Sequence, residues 1–277
     1  MDSNLISVFG STGFVGGNFI KMFPEKTIRI SREDRAPKSK NILYFISTVD
    51  NYNVFDNLTL DIDTNLKILC EVLQYCKDVD ITFNFISSWF VYGKIDLPAR
   101  EDYKCNPTGF YSITKKAGED LLISFCKTFG VNYRILRLCN VLGNGDSKVS
   151  IKKNALSFLV KKLKENEEIF LYDNGTPIRD IMHVSDVCEA INLICEHGEK
   201  NSVYNIGSGH PTQIGDIIDE AKKYLGSKSE IKYKDAPEFH KLVQTKDFWM
   251  DNSKLLSLGF KQKISNSEII EELCNNL

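Results

Sequence analysis

The sequence contains no apolar run that approaches eighteen residues, and its charges nearly cancel. Lys and Arg number 35 and Asp and Glu number 37, so the formal net charge is −2. A membrane-spanning helix needs about 20 predominantly apolar residues, and nucleic-acid binding favours a basic surface. The opening residues, MDSNLISVFG, also lack the basic start and long apolar stretch of a signal peptide. We therefore predict a cytoplasmic protein that binds neither nucleic acid nor a membrane.

Clustered metal ligands are also missing. None of the eight cysteines forms a CxxC pair, and the four histidines lie far from them in the sequence. Zinc sites need ligands at tetrahedral spacing, and disulfide frameworks are typical of small secreted domains. We predict reduced, buried thiols and no metal site. The cysteines are Cys70, Cys76, Cys105, Cys126, Cys139, Cys188, Cys195 and Cys274.

The chain does have an ordinary globular composition and an alternation of strand-like and helix-like segments. Hydrophobic residues make up 42% of it and charged residues 26%, which is enough for a large core. The predicted strands are Leu5–Phe9, Thr27–Ser31, Ile42–Ser47, Ile81–Ser87 and Tyr133–Leu138. The predicted helices follow the first strand, cover Leu58–Leu73 and Thr114–Phe129, and begin at Ser185 and Ile214. This alternation predicts an α/β fold with a parallel sheet covered on both faces.

A glycine-rich turn follows the first predicted strand directly. Gly10, Gly13 and Gly16 stand in the pattern G-x-x-G-x-x-G between that strand and a helix. A pyrophosphate needs a tight turn, close backbone approach and free N–H groups at a helix N-terminus. We predict a Rossmann-type, doubly wound sheet that binds a dinucleotide; a glycine-rich turn without a ligand is the alternative. The predicted cofactor contacts in this turn are Gly10, Ser11, Thr12, Gly13, Phe14, Val15 and Gly16.

The end of the second predicted strand bears on the choice between NADP and NAD. Sites that take NAD usually place an acidic residue there, whereas this strand is followed by Arg32. A guanidinium can pair with a 2′-phosphate, so Arg32 favours NADP, with NAD as the alternative. In that alternative Arg32 is a solvated surface residue, and Glu33 or Asp34 takes the ribose.

Several later fragments stand in a recognisable order. They are Ser87-Ser88 ahead of Tyr92-Gly93, Tyr111 with Lys115, Arg137 to Gly143, Asn174 to Val184, Tyr204 to Gly207, and Asp251 to Phe260. Together with the glycine turn, these fragments resemble the extended short-chain dehydrogenase/reductases, in the branch of nucleotide-sugar epimerases, dehydratases and reductases. The resemblance covers nearly the whole chain. It implies a nicotinamide dinucleotide as cofactor and a nucleotide-diphosphate sugar as substrate.

The spacing of Tyr111 and Lys115 is typical of an acid/base pair. Residues four apart share a helix face, and an ammonium near a phenol favours the phenolate. An ordinary exposed pair at a helix start is the alternative. The resemblance implies Tyr111 as the catalytic acid/base, Lys115 as its partner and ribose anchor, and Ser88 as a hydrogen-bond donor to the reacting oxygen. Ser47, at the end of the third strand, is a further predicted cofactor contact, as are Tyr111 and Lys115.

The residues after Ser88 narrow the reaction. In similar 4,6-dehydratases an acidic pair stands there, whereas this chain has Trp89 and Phe90, which transfer no proton. Similar enzymes that epimerise C3 and C5 use a cysteine and a histidine, where this chain has Phe90 and residues 144–146. We predict a 4-ketoreductase that moves hydride at sugar C4. A 4-epimerase with tightly bound NAD and a non-catalytic dinucleotide-binding protein are the alternatives.

The resemblance also implies the substrate contacts. Arg179 falls where the family clamps the diphosphate, Asn140 where it contacts the sugar-phosphate region, and Ser88 at the reacting sugar. A local ion pair of Arg179 with Asp180 and a turn role for Asn140 are the alternatives. The stretch from Arg32 to residue 41 is shorter than in the family, so part of the adenine wall is expected to be missing.

The domain division follows from a change of pattern after about Gly143. We predict a dinucleotide-binding Rossmann domain over residues 1–145, with residues 176–204 returning to it. Residues 146–175 and 205–277 are predicted to form a smaller mixed α/β substrate lobe. In related dimers, helices similar to those starting near Asn57 and Thr114 pair across a two-fold axis. The resemblance therefore implies a homodimer, acting on precursors of surface polysaccharides.

Overall fold

The computed structural model describes residues 2–77, 79–145 and 155–276. The predicted domain boundary at residue 145 falls at the edge of a described range. Residues 146–154 of the predicted substrate lobe, Asp146 among them, lie outside the described residues.

Strands and helices alternate along the described chain. The strands are β1 (Asp2–Phe9), β2 (Thr27–Arg29), β3 (Ser39–Tyr44), β4 (Thr82–Ser88), β5 (Asn132–Leu138), β6 (Asn140–Leu142), β7 (Ile169–Tyr172), β8 (Ile178–Arg179), β9 (Ile181–His183), β10 (Ser202–Ile206), β11 (Thr212–Gln213) and β12 (Ile231–Lys234). The helices are α1 (Phe14–Met22), α2 (Leu60–Ile62), α3 (Ile68–Gln74), α4 (Phe110–Phe129), α5 (Ala155–Lys164), α6 (Val184–His197), α7 (Ile214–Leu225), α8 (Glu238–Val243), α9 (Ser253–Ser257) and α10 (Asn266–Asn276). A π-helical segment, Asp63–Lys67, joins α2 to α3.

The central sheet has the order β10-β5-β4-β3-β1-β2 within the described residues, and its neighbouring strands are parallel. Because β2 and β3 pair with β1 from opposite sides, the direction of winding reverses between β1 and β3. In open α/β sheets, ligands bind at such a switch point, outside the carboxyl ends of the strands. The predicted Rossmann-type parallel sheet is confirmed.

Alternate side chains of the central strands point to opposite faces of the sheet. Val8 and Leu43 belong to one hydrophobic cluster, which α1 and α6 cover, whereas their neighbours Phe9 and Ile42 belong to the cluster covered by α3 and α4. Successive side chains in a strand point to opposite faces, so strands buried on both sides are apolar throughout. This explains why the strands were recognisable as short continuous apolar runs.

A third hydrophobic cluster lies in the elements outside the central sheet. Leu159 of α5, Leu171 of β7, Ile217 of α7 and Ile269 of α10 pack together there. The strand β10 belongs to the central sheet and extends to Ile206, two residues beyond the segment expected to return to it. The predicted division into two domains stays a prediction.

The helix predicted over Leu58–Leu73 differs most from expectation. Leu69 and Leu73 are buried, but Leu58 and Ile62 are exposed. The π-helical segment between α2 and α3 has about one residue more per turn than an α-helix. It therefore rotates the residues before it, so that a different face of α2 points inward. The face that points inward ahead of α3 therefore carries polar residues instead of leucines.

The burial of the cysteines agrees in part with the prediction of buried thiols. All eight cysteines lie within the described residues and carry free thiols; Cys70 is exposed, Cys105 is half-buried and the others are buried. Cys70 departs from the predicted burial because it lies on the outer face of α3. Across the described ranges, no helix is both long enough and apolar enough to span a membrane.

Candidate active site

A cleft of about 1,360 Å³ opens at the carboxyl ends of β1, β3 and β4. The glycine turn lines its floor, the start of α4 lines one side, and residues of β7, α8 and the following loop line the other. It contains the following predicted site residues: Gly10, Thr12, Gly13, Phe14, Val15, Gly16, Ser47, Ser88, Tyr111, Lys115, Asn140 and Arg179. Ser11 and Arg32 lie outside its described lining.

The glycine turn has the backbone geometry that a pyrophosphate requires. Gly10 has a φ of +79°, which residues with a side chain rarely adopt. Its carbonyl oxygen accepts a hydrogen bond from the Gly13 N–H at 3.1 Å. A Cβ at Gly16 would lie 2.6 Å from the Gly10 carbonyl oxygen. Gly13 is the N-cap of α1 and has no side chain to occupy the first-turn N–H groups. These residues fit the pyrophosphate of a dinucleotide.

The segment after β2, where an adenosine ribose or 2′-phosphate is predicted to bind, is short and largely exposed. The strand β2 ends at Arg29, two residues before its predicted end, and Arg32 is exposed with its carbonyl oxygen accepting a hydrogen bond from Arg35. The carboxylate of Asp34 accepts a hydrogen bond from the Ala36 N–H at 3.1 Å. The role of Arg32 at a 2′-phosphate stays a prediction.

Tyr111 and Ser88 meet where α4 passes the end of β4. Ser88 is the last residue of β4, and Tyr111 lies in the first turn of α4, which begins four residues before its predicted start. Burial raises the pKa of Tyr111 to about 12, against the effect of its hydrogen bond with Ser88, while the charges of Asp61 and Asp50 raise it further. With this pKa, Tyr111 is a protonated phenol at neutral pH.

Lys115 lies one turn further along α4, with its ammonium buried. Its Nζ donates to the Ile86 carbonyl oxygen at 2.6 Å and lies 4.3 Å from the centre of the Phe85 ring. Burial lowers the pKa of Lys115 to about 7, while the charge of Glu119 acts in the opposite direction. The sequence predicts that the Lys115 ammonium lowers the phenol's pKa. In the structure, burial disfavours both charged forms, and the side chains that act on the pKa of Tyr111 are Ser88, Asp61 and Asp50.

A polar cluster that the sequence analysis missed supports the start of α4. Asn65 donates to the hydroxyl oxygens of Thr48 and Thr114, both at 2.9 Å, and accepts a hydrogen bond from Ser47 at 3.1 Å. The Thr48 hydroxyl donates in turn to Asp61. The cluster connects the loop after β3, which lines the cleft, to the helix that carries Tyr111. Its signal was a pair of polar residues four apart, Asp61 and Asn65, inside an otherwise apolar helix pattern.

Aromatic rings form the wall next to Tyr111. The Phe90 ring meets the Tyr111 ring edge-on with centroids 5.7 Å apart, and the Trp89 ring stacks on Phe90 at 4.0 Å. The Arg179 guanidinium lies 5.6 Å from the Trp89 ring. Trp89 and Phe90 carry no acid/base group at neutral pH, whereas Tyr111 beside them carries a phenol.

Arg179 lines the same cleft as the glycine turn. Its Nη1 donates to the carbonyl oxygens of Ile178 and Lys246 at 2.7 and 2.6 Å. Burial lowers the pKa of Arg179 to about 10, which leaves the guanidinium charged, and Asp247 opposes that shift. Arg179 thus keeps the charge that an anionic ligand requires.

An ion pair between Arg179 and Asp180 is the alternative to a diphosphate contact of Arg179, and the hydrogen bonds of the Asp180 carboxylate go to other residues. Its carboxylate accepts hydrogen bonds from the N–H groups of Ser208 at 2.8 Å and Met250 at 3.1 Å. Its backbone carbonyl accepts from the side chain of Asn140 at 3.1 Å. Asp180 therefore connects β6 with the segments that follow β10 and precede α9, and the neighbouring Arg179 lines the cleft.

The comparisons with known proteins agree with this geometry. Residues 41–207 match the model of the NAD dependent epimerase/dehydratase family. A putative UDP-glucose 4-epimerase of Methanocaldococcus jannaschii is 27% identical over 237 residues, which are 84% of this chain and 75% of the relative.

Two solved structures share the fold along their whole length. A UDP-glucose 4-epimerase of Thermotoga maritima, solved with UDP-glucose, superposes with a TM-score of 0.87 at 20% identity, over 98% of this chain and 97% of the other. The protein RMD of Pseudomonas aeruginosa, complexed with NADPH, superposes with a TM-score of 0.84, also at 20% identity, over 99% of this chain and 98% of the other. At this identity the likeness shows the fold alone.

Proposed function

The chain belongs to the NAD dependent epimerase/dehydratase family, and on this premise we propose that it is an NAD(P)-dependent nucleotide-sugar 4-ketoreductase. The observation that carries the proposal is the composition of the cleft around Tyr111. Ser88, Tyr111 and Lys115 line it together with the rings of Trp89 and Phe90. Reducing a ketone needs one proton donor beside a hydride source, whereas dehydration needs additional acid/base groups.

In the proposed mechanism, the keto oxygen of the sugar lies between Ser88 and Tyr111. The reduced dinucleotide, when bound, supplies the hydride that the carbonyl carbon accepts. Tyr111 donates its phenolic proton to the oxygen, which becomes a hydroxyl, and is left as a phenolate. Ser88 donates a hydrogen bond to the same oxygen, and Lys115 offsets the charge that forms on Tyr111.

We propose that the dinucleotide is held by the glycine turn, Ser47, Tyr111 and Lys115, and that Arg32 binds a 2′-phosphate. NADP is then the preferred cofactor, with NAD as the alternative. The short strand β2 and the exposed stretch after it support a cofactor that exchanges between turnovers. Exchange is what net reduction requires, because each turnover consumes one reduced dinucleotide.

The second candidate is a nucleotide-sugar 4-epimerase. It is favoured by the names of the relatives, among them the putative UDP-glucose 4-epimerase of Methanocaldococcus jannaschii. An epimerase oxidises and re-reduces the same sugar, so it retains one dinucleotide. The same three residues, Ser88, Tyr111 and Lys115, serve both reactions, and the behaviour of the cofactor separates them.

The test starts from freshly purified, denatured protein, whose released dinucleotide is identified by mass. We expect less than one equivalent, and we expect NADPH to raise the melting temperature of the emptied protein more than NADH does. NADPH oxidation is then measured with a panel of nucleotide-linked 4-keto sugars. The variant Arg32→Ala should reduce the preference for NADPH about tenfold or more, since a charged hydrogen bond is lost.

Each other outcome points to a specific alternative. One equivalent of released NAD or NADH, with interconversion of C4 epimers and no net NADPH oxidation, would establish the epimerase. Cofactor binding without turnover on either class of nucleotide sugar would support a non-catalytic dinucleotide-binding protein.

We propose that the protein acts as a homodimer on nucleotide-diphosphate sugars destined for surface polysaccharides. Phe110, Ile113 and Leu121 form an exposed apolar stripe on α4, and Ile113 and Leu121 are 50% and 42% exposed. Positions three, eight and eleven apart share one side of a helix, so a second copy can cover the three side chains together.

Light scattering is expected to give twice the mass of the chain. Leu121→Glu, which introduces a charge into the stripe, should shift the protein to monomers. Leu256→Glu is the matched control, because Leu256 is similarly exposed on α9, away from the stripe. A monomeric mass for the unmodified protein would refute the proposed dimer.

A further inference from the structure

Three consecutive residues of β4 each pair with a residue of α4 at four-residue spacing. Ser88 acts on Tyr111 and lowers its pKa, the Ile86 carbonyl oxygen accepts from Lys115 at 2.6 Å, and Ser87 donates to Glu119 at 2.6 Å. The first two pairs belong to the proposed reaction. The third pair lies directly behind them, and neither the sequence analysis nor the proposed mechanism assigns it a role.

Glu119 is a buried carboxylate in a strong ion pair. Its side chain is 1% exposed, and Arg137 donates to both of its oxygens, from Nε at 3.0 Å and from Nη2 at 2.8 Å. Arg137 stands on β5 opposite Ser87 on β4, and its guanidinium lies 4.7 Å from the centre of the Tyr92 ring. Burial works against the charge on Arg137, but the hydrogen bonds and charge of Glu119 outweigh it and raise the pKa of Arg137.

A buried ion pair of this kind is poor evidence for stability. Removing two charges from water costs several kcal/mol per ion, and neutral, well-packed replacements are often as stable or more so. The position of the pair suggests a different benefit, since Glu119 lies one turn of helix beyond Lys115. Its charge favours the ammonium form of Lys115, against the burial that disfavours it.

We propose that Glu119, which Ser87 and Arg137 hold one helical turn beyond Lys115, is a positioning residue whose charge favours the ammonium form of Lys115. The role of Lys115 in the reaction rests on the proposed function, but its charge state does not. Other groups around Lys115 and Tyr111 are the Phe85 ring and Ser88 from β4, Arg137 from β5, and Asp50 and Asp61 from the segments packed on the start of α4.

The direct test is an NMR titration of protein carrying ¹³C-labelled lysine, with the Lys115 Cε signal assigned by its loss in Lys115→Arg. In Glu119→Gln the ammonium loses its negative neighbour while Arg137 keeps its charge. We expect Lys115 to titrate about one pH unit lower than in the wild type. Asp120→Asn is the matched control, because Asp120 is exposed on the same helix and pairs with Lys116; it should leave the Lys115 titration unchanged.

The double variant Glu119→Gln/Arg137→Met separates the charge effect from folding. It removes both buried charges and is expected to melt at or above the temperature of the single variant. Its Lys115 should still titrate below the wild-type value, by less than in Glu119→Gln. A wild-type titration of Lys115 in the double variant would overturn the proposal. Failure of the double variant to fold would also overturn it, because the pair would then hold the fold rather than the lysine.

Where the keto-sugar assay succeeds, the pH profile gives a second readout. Reduction requires the cationic Lys115, so activity falls as the pH rises through the Lys115 pKa. The alkaline limb of the profile should therefore move down in Glu119→Gln in parallel with the NMR titration. If Glu119→Gln instead lowers activity by the same factor at every pH, and the alkaline limb stays at its wild-type pH, the positioning role is contradicted. Absence of activity in the wild type would bear on the proposed function alone, since the titration needs no substrate.

Discussion

Tyr111→Phe is expected to lower kcat about a thousandfold, within the range that general acid catalysis contributes. The substitution removes the phenolic proton and leaves the ring against Phe90. Burial holds the pKa of Tyr111 at about 12, so the wild-type residue is protonated across the neutral range and needs no prior protonation step. Stopped-flow measurement of NADPH oxidation with a nucleotide-linked 4-keto sugar checks the expected loss. Tyr111 is also a proposed dinucleotide contact, so dinucleotide binding, measured by fluorescence, should weaken by no more than about tenfold, the effect of one lost hydrogen bond.

The matched control for this variant is Tyr75→Phe. Tyr75 is exposed at the end of α3, so its hydroxyl contributes nothing to the cleft and activity should equal that of the wild type. A Tyr111→Phe protein that keeps a tenth or more of wild-type kcat would exclude Tyr111 as the acid. The alternative proton donor would then be a water molecule bound between Ser88 and the substrate.

The sheet could be predicted because its determinants are local. Val8, Phe9, Ile42 and Leu43 fill two faces of one sheet, so any strand long enough to cross the core is a continuous apolar run. The glycine turn is recognisable because its glycines are close in sequence, and a Cβ at Gly16 would meet the Gly10 carbonyl oxygen. The other contacts of these two glycines are with Phe45 and Ile46, which a local pattern does not reveal.

The supports of the site could not be predicted, because they depend on contacts between distant segments. The inward orientation of Asp61 and Asn65 follows from a π-helical segment that the spacing of leucines does not reveal. The partnership of Glu119 with Arg137 needs the register of β4 against β5. The sequence predicts a lowered pKa for Tyr111, whereas the structure raises it. The difference arises from burial, which depends on the whole fold and not on the local sequence.

The two halves of the candidate site also differ in how they are built. On the proposed acid/base side, Tyr111 and Lys115 are buried on α4, and Lys115 is hydrogen-bonded to β4. The substrate side relies on short segments, and Arg179 is held through the carbonyl oxygens of Ile178 and Lys246. Substitutions on the first side should affect the chemical step, whereas those on the second should affect substrate binding.

Arg179→Met tests the substrate side, and we expect it to raise KM about a hundredfold with little change in kcat. The guanidinium is the charged group that the proposed diphosphate would meet, and a charge-assisted hydrogen bond contributes about 1.5–3 kcal/mol. The contact is made equally in the ground state and the transition state, because the diphosphate lies away from the reacting carbon. Uniform binding of this kind appears in KM and leaves kcat intact.

Methionine preserves the length and apolar packing of the side chain over the Trp89 ring, so the variant removes mainly the charge. Arg100→Met is the matched control: Arg100 is exposed and pairs with Asp102 on the surface, and its KM should stay at the wild-type value. Competition by UDP, measured calorimetrically, separates the diphosphate from the sugar, and its Kd should weaken in proportion to KM. A large fall in kcat with KM unchanged would instead place Arg179 at the reacting sugar and assign the diphosphate to other cations of the cleft, such as Lys162 or Lys234.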